Sequence, residues 1–400
     1  MAERTLRIGV AGLGRGFMLM LPTFLADRRV ALVAAADPRD EARARFVAEF
    51  GGRAHETVEA LCGDDSVDVV YVATPHEIHA RHAIVAAEAG KHVLVEKPMA
   101  LDLDECRAMI AAARGARVHL IVGPSHSFDA PVLRTRAMIA SGAFGRLRLV
   151  TALNFTDFVY RPRRPEELDP EAGGGVVLSQ AAHQVDIARL LAGGLARSVR
   201  AMTGDWDDTR PTEGAYAAFI DFGDGAAATL TYSGYDHFDS DEFVDWIGET
   251  GAGKERGRHG AARRRLRQVG TAAEEAALKA TRGLGGSGVA AAQGQRNHEH
   301  FGLLLASCEH ADLRPLTRGV MIYGDDEQRL DALPAPDVPR VAVIDELYGA
   351  VVHGRPPLHS GDWAMATLEV CLAIRRSARE RREIALEHQV ALPADAEDEA

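Results

Sequence analysis

The chain has 400 residues, an apolar share of 46%, an aromatic share of 6% and a net charge of −12. This length suits two domains of ordinary size, and the acidic balance argues against a general nucleic-acid surface. No stretch approaches the roughly 20 apolar residues that cross a bilayer, and MAERTLRIGV enters a strand without a leader segment. The cysteines have no metal-like spacing: Cys62, Cys106, Cys308 and Cys371. We therefore expect a cytoplasmic protein with reduced thiols that binds neither membranes nor nucleic acid.

Residues 1–123 alternate continuous apolar runs with helical patterns. The runs LRIGVAG, VALVAAAD, VDVVYVAT, KHVLVEK and VHLIVGP are typical of buried strands. The first helix is expected at PTFLADR, and the later helices at RDEARARFVAEF, HARHAIVAAEAG and DLDECRAMIAAARGA. This alternation predicts an α/β fold with a doubly wound parallel sheet, which is the nucleotide-binding Rossmann pattern.

After Gly123 the pattern changes, and residues 124–390 predict an α+β domain with an open, mostly antiparallel sheet. An amphipathic helix over 361–382 is expected to pack back across the domains. Residues 251–296 carry ten basic and three acidic residues and no aromatic one. We interpret them as a mobile surface insertion; a cover over an anionic ligand, or a contact with a neighbouring subunit, stays open. The tail PADAEDEA is predicted to be disordered.

A glycine turn follows the first strand. Glycines there let the backbone approach a pyrophosphate, and the next helix directs its first amides at it. The third glycine of the standard G-x-G-x-x-G motif is replaced by Phe17, and a plain glycine turn is the alternative. The predicted cofactor contacts of this turn are Gly12, Leu13, Gly14, Arg15, Gly16 and Phe17.

Asp37 ends the second strand, where a carboxylate accepts hydrogen bonds from the adenosine ribose and repels a 2′-phosphate. This position favours NAD as the cofactor. Arg39 lies two residues further on and is suited to a 2′-phosphate, so NADP stays possible. An Asp before Pro38 is also a common turn residue.

Two further polar segments follow the third and fourth strands, at the sheet edge where cofactors bind. The candidate cofactor contacts are Thr74, Pro75, His76, His79, Glu96 and Lys97. Lys97, restrained by Pro98, is suited to taking a proton near a positively charged nicotinamide, with Glu96 orienting it. The alternatives are caps and packing for the two histidines and a surface position for the lysine.

The second domain offers a helix after Gly173-Gly174-Gly175. Spacings of three and four put Ser179, His183 and Asp186 on one helical face, with Gln180 beside them. His183 is then a natural partner for Lys97, and a buried core histidine is the alternative. No HExxH motif or cysteine pair is present, so no metal site is expected.

The segment RPRRP, next to Phe155 and Phe158, contains three arginines stiffened by two prolines. Guanidinium groups bind carboxylates in a bidentate manner, so this segment predicts a site for an anionic cyclic small molecule. Solvated loop arginines are the alternative. The candidate substrate contacts are Asn154, Tyr160, Arg161, Arg163, Arg164, Ser179, Gln180 and His183.

The motifs GLGRG, AADP, ATPHEIHARHAIVAAEAGKHVLVEKP and GGG…AAHQVD together resemble the Gfo/Idh/MocA family of oxidoreductases. The resemblance implies a Rossmann domain with an open-faced mixed sheet, NAD(P), and homodimers or homotetramers. By matching position, Lys97 is the catalytic lysine and His183 the catalytic histidine. Sugar-oxidising members usually carry Asp where this chain has Ser179, and Ala181 replaces a common Gly, which argues against a simple sugar or inositol substrate.

The stretch NFTDFVYRPRRPEELDPEAGGGVVLSQAAHQVD is similar to the phthalate 4,5-cis-dihydrodiol (4,5-dihydroxyphthalate) dehydrogenase branch of that family. The likeness implies NAD-dependent oxidation of a cyclic carboxylated cis-diol, with Lys97 removing the hydroxyl proton and the arginines holding carboxylates. The rival interpretations are a sugar or polyol dehydrogenase of the same fold and a non-catalytic NAD-binding regulator.

Overall fold

A computed structural model describes residues 4–286 and 296–393. The chain divides into two compact units, one of Met1–Pro124, Ala276–Ala291 and Asp337–Met365, the other of Ser125–Glu275, Ala292–Pro336 and Ala366–Ala400. The predicted disordered tail lies, after Pro393, outside the described residues, as does the stretch 287–295 of the basic segment.

The first unit contains a six-stranded parallel sheet with the strand order β3-β2-β1-β4-β5-β6. Its strands are β1 (Leu6–Ala11), β2 (Val30–Ala36), β3 (Arg53–His55), β4 (Val69–Val72), β5 (His92–Val95) and β6 (Leu120–Val122). The predicted doubly wound parallel sheet is confirmed. The apolar runs predicted five of these strands. They missed β3, a three-residue edge strand without an apolar run, which pairs with the end of β2.

A nine-stranded mixed sheet lies in the second unit, with the strand order β14-β13-β12-β11-β7-β10-β9-β8-β15. Its strands are β7 (Leu147–Phe155), β8 (Ala196–Gly204), β9 (Ala215–Phe222), β10 (Ala227–Ser233), β11 (Leu303–Cys308), β12 (Ala311–Leu316), β13 (Gly319–Gly324), β14 (Gln328–Ala332) and β15 (Ile384–Ala385). Only β7 and β10 pair in parallel among these described strands. The predicted, mostly antiparallel sheet is therefore confirmed, although the strand pair expected at 313–331 is a run of three strands.

One face of this sheet is more deeply buried than the other. On β7, Val150, Ala152 and Asn154 are buried, whereas Thr151 and Leu153 between them keep part of their surface exposed. Such alternation is the expected pattern for a sheet that packs on one side. Of the candidate residues, Asn154 belongs to the buried side of β7.

The described residues also form α1 (Arg15–Ala26), α2 (Asp40–Phe50), α3 (Val58–Cys62), α4 (His79–Glu88), α5 (Leu103–Ala116), α6 (Ala130–Ala140), α7 (Ala182–Leu191), α8 (Ala261–Leu266), α9 (Ala272–Ala280), α10 (Val341–His353) and α11 (Gly361–Glu380). The first helix starts at Arg15, directly after the glycine turn, and not at Pro22 as the sequence suggested. Pro22 lies inside the helix. Among the described residues, no helix is long and apolar enough to span a membrane.

The described part of the basic segment 251–296 contains two helices, α8 and α9, and the predicted mobility of the segment stays a prediction. Glu275 of α9 is buried, and both of its carboxylate oxygens accept hydrogen bonds from Arg210, at 2.9 and 2.7 Å. A buried, hydrogen-bonded ion pair of this kind fixes the start of α9 in place.

Candidate active site

The glycine turn between β1 and α1 has the shape that a dinucleotide requires. Gly12 has a φ of +94°, and a Cβ there would lie 2.8 Å from the Ala73 carbonyl oxygen. Around Gly14, a Cβ would meet nothing within 4 Å. Gly14 is the N-cap of α1, so the first amides of that helix point into this open space. The backbone here has the room and the hydrogen-bond donors that a pyrophosphate needs.

Asp37 is tied to this turn. Its carboxylate accepts a hydrogen bond from the Leu13 amide, at 2.8 Å, and two from the Arg39 side chain, both at 2.9 Å. Burial alone would raise the pKa of Asp37, but these donors and the charge of Arg39 outweigh burial and lower it. Asp37 is therefore an anion at neutral pH, which suits ribose hydroxyls and repels a phosphate.

Phe17 does not offer its side chain to a cofactor. The ring is fully buried and packs against Phe46 and Phe50, with ring centroids 6.5 and 6.4 Å away. It therefore contributes to the core between α1 and α2, and only its backbone belongs to the first turn of α1. Arg15, the first residue of that helix, lies directly after the cap.

The segment after β4 is held by His79. This buried imidazole lies 2.8 Å from the Thr74 carbonyl oxygen and 2.9 Å from the Pro98 carbonyl oxygen. Burial lowers its pKa, although both carbonyls oppose that shift. His79 thus fixes the loop before α4 to the residue after Lys97. His76 packs on the His79 ring at 5.5 Å, after the cap residue Pro75.

Glu96 points its carboxylate to the sheet interior. Its Oε1 accepts a hydrogen bond from the Tyr71 hydroxyl at 2.5 Å, and a Cβ on Gly16 would lie 3.4 Å from the same oxygen. Burial raises the pKa of Glu96. The carboxyl group therefore supports the floor of the glycine turn, while Lys97 follows it at the end of β5 as predicted.

In the second unit, α7 is preceded by a π turn over Val177–Ala181. A π turn inserts an extra residue, so the i, i+4 spacing used to align Ser179 with His183 does not hold there. The Ser179 hydroxyl donates to the Gly175 carbonyl. Gln180 accepts a hydrogen bond from the Tyr232 hydroxyl at 3.4 Å and so lies beside an aromatic side chain of β10.

His183 is buried, and its ring packs on His126 and Phe301 with centroid distances of 4.8 and 4.7 Å. Its Nδ1 lies 3.4 Å from the His126 backbone amide and 3.5 Å from the Ser125 hydroxyl. Because an amide can only donate, Nδ1 is the acceptor and the ring proton is on Nε2. His183 is therefore oriented as a hydrogen-bond donor through Nε2.

The partner His126 was missed from the sequence. Its Nδ1 lies 2.7 Å from Asp129 Oδ2. Burial alone would lower the pKa of His126, but the charge and hydrogen bond of Asp129 raise it. The motif His126-x-x-Asp129 was the available signal, since residues three apart often interact.

His126, Asp129 and Glu299 each present one possible metal-ligand atom, and these atoms lie within 4.8 Å of one another. The observed contact between the first two is that of an ion pair, because the imidazole and the carboxylate are at hydrogen-bond distance. The absence of a metal site stays a prediction.

Two of the three predicted arginines are already paired. Arg161 lies 2.7 Å from Asp157 and 3.5 Å from Glu249, and the pKa of Asp157 is lowered to about 2, because the charge and hydrogen bond of Arg161 outweigh burial. The Arg164 guanidinium lies within 3.5 Å of both Glu166 and Glu167.

Arg163 differs from its neighbours. Its guanidinium carbon lies 3.8 Å from the centroid of the Phe158 ring, and its Nη2 donates to the Phe158 carbonyl at 3.0 Å. Within residues 4–286 and 296–393, no carboxylate lies in ion-pair distance of its side chain. Burial lowers the pKa of Arg163 to about 10. The charge of Glu167 opposes this shift, and a half-buried guanidinium outside ion-pair distance of the described carboxylates can bind an anion.

Asn154 and Tyr160 are engaged within the protein. Asn154 is fully buried, and its Oδ1 accepts a hydrogen bond from Ser240 at 2.9 Å. The Tyr160 hydroxyl donates to Asp207 at 2.5 Å, and burial together with Asp207 raises its pKa to about 12. Tyr160 packs in a core cluster with Val159. The structure therefore uses both side chains for packing, and their predicted substrate contact stays a prediction.

Residues 6–124 match the NAD-binding Rossmann-fold model of the oxidoreductase family, GFO_IDH_MocA, and residues 132–253 match the GFO/IDH/MocA C-terminal domain. A 1-carboxy-3-chloro-3,4-dihydroxycyclohexa-1,5-diene dehydrogenase from Comamonas testosteroni is 49% identical over 372 residues, which are 92% of this chain and 94% of that protein. The chain belongs to the GFO/IDH/MocA oxidoreductase family. The predicted family is thereby confirmed.

A crystal structure of a dehydrogenase from Bordetella bronchiseptica RB50 superposes on this family member with a TM-score of 0.90 at 42% identity, covering 95% of this chain and all of that one. The WlbA dehydrogenase from Bordetella pertussis, solved with NADH and UDP-GlcNAcA, has a TM-score of 0.67 at 23% identity, covering 96% of this chain and 99% of that one. The latter shows the fold alone.

NAD is the cofactor of this family's Rossmann domain, and the residues of the chain fit it. The open space at Gly14 admits a pyrophosphate at the start of α1, and the ionised Asp37 suits the adenosine ribose. The individual cofactor contacts of the glycine turn and Asp37 stay predictions.

Proposed function

We propose that the chain is an NAD-dependent dehydrogenase that oxidises a cyclic cis-diol carrying a carboxylate, with phthalate 4,5-cis-dihydrodiol and a monocarboxylated cis-dihydrodiol as the two candidates. The observation that carries this proposal is the half-buried Arg163 guanidinium, which stacks on Phe158 and has no described carboxylate within ion-pair distance. An aromatic face beneath a guanidinium suits a flat ring with an acidic substituent.

The aromatic rings of the second unit continue from Arg163 towards His183. Phe158 lies 6.5 Å from Tyr232, Tyr232 lies 6.1 Å from Phe301, and Phe301 lies 4.7 Å from His183. A planar substrate anchored by Arg163 would find apolar contacts at the Phe158 end of this row. The relative from Comamonas testosteroni is named for a carboxylated dihydroxy-cyclohexadiene, which supports the same substrate class.

Lys97 and His183 have the chemical roles in this proposal. Lys97 takes the proton of the hydroxyl group under oxidation, and His183 donates from Nε2 to the oxygen of the diol. NAD, when bound, supplies the acceptor for the hydride that leaves the carbinol carbon. The ring ketone then tautomerises to a dihydroxy aromatic acid: the neighbouring ring carbon loses a proton and the ketone oxygen gains one, so that one hydride and one proton leave the diol in total.

The number of available guanidinium groups bears on the substrate. Arg163 provides for one carboxylate, whereas a second one would compete with Asp157 and Glu249 for Arg161. This arrangement favours a ring with one carboxylate over the two of phthalate. Both diols belong to the proposed class, and their relative turnover decides between them.

NADH formation with purified protein tests the proposal. The substrates are phthalate 4,5-cis-dihydrodiol, a monocarboxylated cis-dihydrodiol, inositol and glucose. We expect turnover of the carboxylated diols and little of the neutral polyols. Turnover of inositol or glucose alone would instead indicate a polyol dehydrogenase, and tight NAD binding without turnover of any diol would indicate a regulator.

A further inference from the structure

The basic segment reaches the glycine turn of the first unit. After α9, residues 281–286 have the sequence TRGLGG, and the Leu284 amide donates to the Leu13 carbonyl at 3.0 Å. Both leucines are buried, Leu13 fully and Leu284 to all but 6% of its surface. Two Gly-Leu-Gly turns, Gly12–Gly14 and Gly283–Gly285, are therefore joined by a backbone hydrogen bond.

The turn at 281–286 has a tight, defined shape. The Gly286 amide donates to the Gly283 carbonyl at 3.0 Å, and a Cβ on Gly286 would lie 2.0 Å from the Thr281 carbonyl oxygen. Gly285 has a φ of +85°. These two positions require glycine, so the conformation is specified by the sequence.

This turn packs on the pair of residues that faces the adenosine ribose. A Cβ on Gly283 would lie 3.0 Å from the Leu13 carbonyl oxygen and 3.3 Å from Arg39 Nη1. Arg39 Nη2 donates to the same Leu13 carbonyl at 3.2 Å and to Asp37 at 2.9 Å. Leu13, Arg39 and the 283–284 backbone therefore form one packed layer beside Asp37.

The position matters because the space beside the residues that follow the second strand is where a 2′-phosphate would lie. Here the cation that would receive this phosphate, Arg39, is held by Asp37 in a bidentate pair. The backbone of residues 283–284 packs against one side of that cation, whose side chain keeps 42% of its surface exposed.

We propose that residues 281–286 form the outer wall of the adenosine-ribose site, where they exclude the 2′-phosphate of NADP and slow the release of NADH. This role goes beyond the dehydrogenase function and does not depend on the identity of the diol. It gives the basic segment one of the roles that the sequence left open, a cover over an anionic ligand.

Gly283→Val tests the wall. A valine side chain would collide with the Leu13 carbonyl and the Arg39 guanidinium and push the turn outwards. The matched control is Gly253→Val, because a Cβ on Gly253, in the same basic segment, meets nothing within 4 Å. NADH release is measured by stopped-flow fluorescence, and the affinities for NADH and NADPH by fluorescence titration, all without substrate.

We expect Gly283→Val to release NADH about tenfold faster and to lower the preference for NADH over NADPH about tenfold, since overpacking of this kind displaces a packed layer. Gly253→Val should behave as the parent. Leu284→Ala, which keeps the backbone and removes the buried side chain, should show the same changes to a smaller extent and covers the case in which the valine variant does not fold.

Unchanged NADH release and unchanged discrimination in a folded Gly283→Val or Leu284→Ala variant would overturn the proposal. So would a parent protein that binds NADPH as tightly as NADH. Failure of the diol assay leaves these readouts untouched, so the two proposals fail separately.

Discussion

The cofactor region of this protein is formed mainly by backbone groups, whereas the arginine segment is formed mainly by charged side chains. At the glycine turn, backbone amides and missing side chains create the site, and the key side chain, Asp37, lies 24 residues from the Leu13 amide that it binds. Around Arg161 and Arg163, the site is formed by charged groups whose partners are distant in the sequence. Glu249 lies 88 residues from Arg161, and Glu275 lies 112 residues from the Arg163 amide that it binds. A site formed by backbone groups is therefore defined by local sequence, whereas a site formed by charged side chains depends on which acidic residues the tertiary structure places beside them.

The contrast predicts that Lys97, a side chain of the cofactor region, contributes little to NADH binding and strongly to the chemical step. Lys97→Met should lower kcat by about 10²- to 10⁴-fold, because it removes the proton acceptor. The dissociation constant for NADH should stay near that of the parent. Steady-state kinetics measures kcat, and NADH fluorescence titration measures the dissociation constant. An unchanged kcat would contradict the role assigned to Lys97.

A pair of arginine variants tests the other region. Arg163→Met keeps an apolar side chain over Phe158 but removes the charge, so the KM for a carboxylated diol should rise about 100-fold. Arg164→Met should change this KM little, because Glu166 and Glu167 already pair with that guanidinium. Equal effects of both changes would contradict the distinction between paired and unpaired arginines.

A smaller effect is expected at Asp129, which positions His126 and, through the His126 amide, His183. Asp129→Asn should lower kcat about tenfold, since small displacements of a reacting group are costly. The raised pKa of His126 means that its ion pair stabilises the fold at low pH and is lost as pH rises through that value. The advantage of the parent over the variant in urea unfolding should therefore shrink towards high pH.

The exposed Asp208 offers a control for this experiment, as Asp208→Asn should alter neither kcat nor its pH profile. If Asp129→Asn only lowers stability and leaves the pH profile of kcat unchanged, Asp129 has no positioning role.

The smallest effect concerns the sheet of the first unit. His92 stacks on His119 with a centroid distance of 5.3 Å, and burial lowers its pKa to about 4. The unfolded chain binds this proton near pH 6.5, so stability is complete above that pH and falls as pH drops towards 4. After discounting for solvent screening, the loss should be roughly 1–2 kcal/mol.

Urea unfolding of His92→Gln between pH 7 and pH 4.5 measures this contribution, and the variant should show a flatter pH dependence than the parent. His259→Gln, at an exposed position, is the control. An identical pH dependence for parent and His92→Gln would rule out this histidine as the source.

Sequence reasoning succeeded where the physics is local. Apolar runs predicted the parallel sheet, and they also located the ends of β1 and β2, where the glycine turn and Asp37 lie. It failed where an element departs from regular geometry. The start of α1 was placed at Pro22, whereas the helix starts at Arg15, and the π turn at Val177–Ala181 breaks the spacing assumed for Ser179.

Remote contacts account for the remaining gaps in the candidate site. No pattern in the sequence indicated that Glu249 would pair with Arg161 or that Tyr160 would bond to Asp207. The three arginines of this segment are equivalent in the sequence, and only the tertiary structure shows that Arg161 and Arg164 form ion pairs whereas Arg163 forms none with the described residues. The role of His126 was likewise hidden, since its contact with His183 joins separate parts of the chain.

Glu275 has a consequence for anyone who wishes to move this substrate specificity into another protein. Its carboxylate receives the Arg163 backbone amide at 2.7 Å and the Arg210 guanidinium, so the arginine segment rests on a helix more than a hundred residues away in the chain. Transplanting residues 157–168 alone would carry the arginines without their support. The smallest transferable cassette consists of that segment, Arg210 and α9 together.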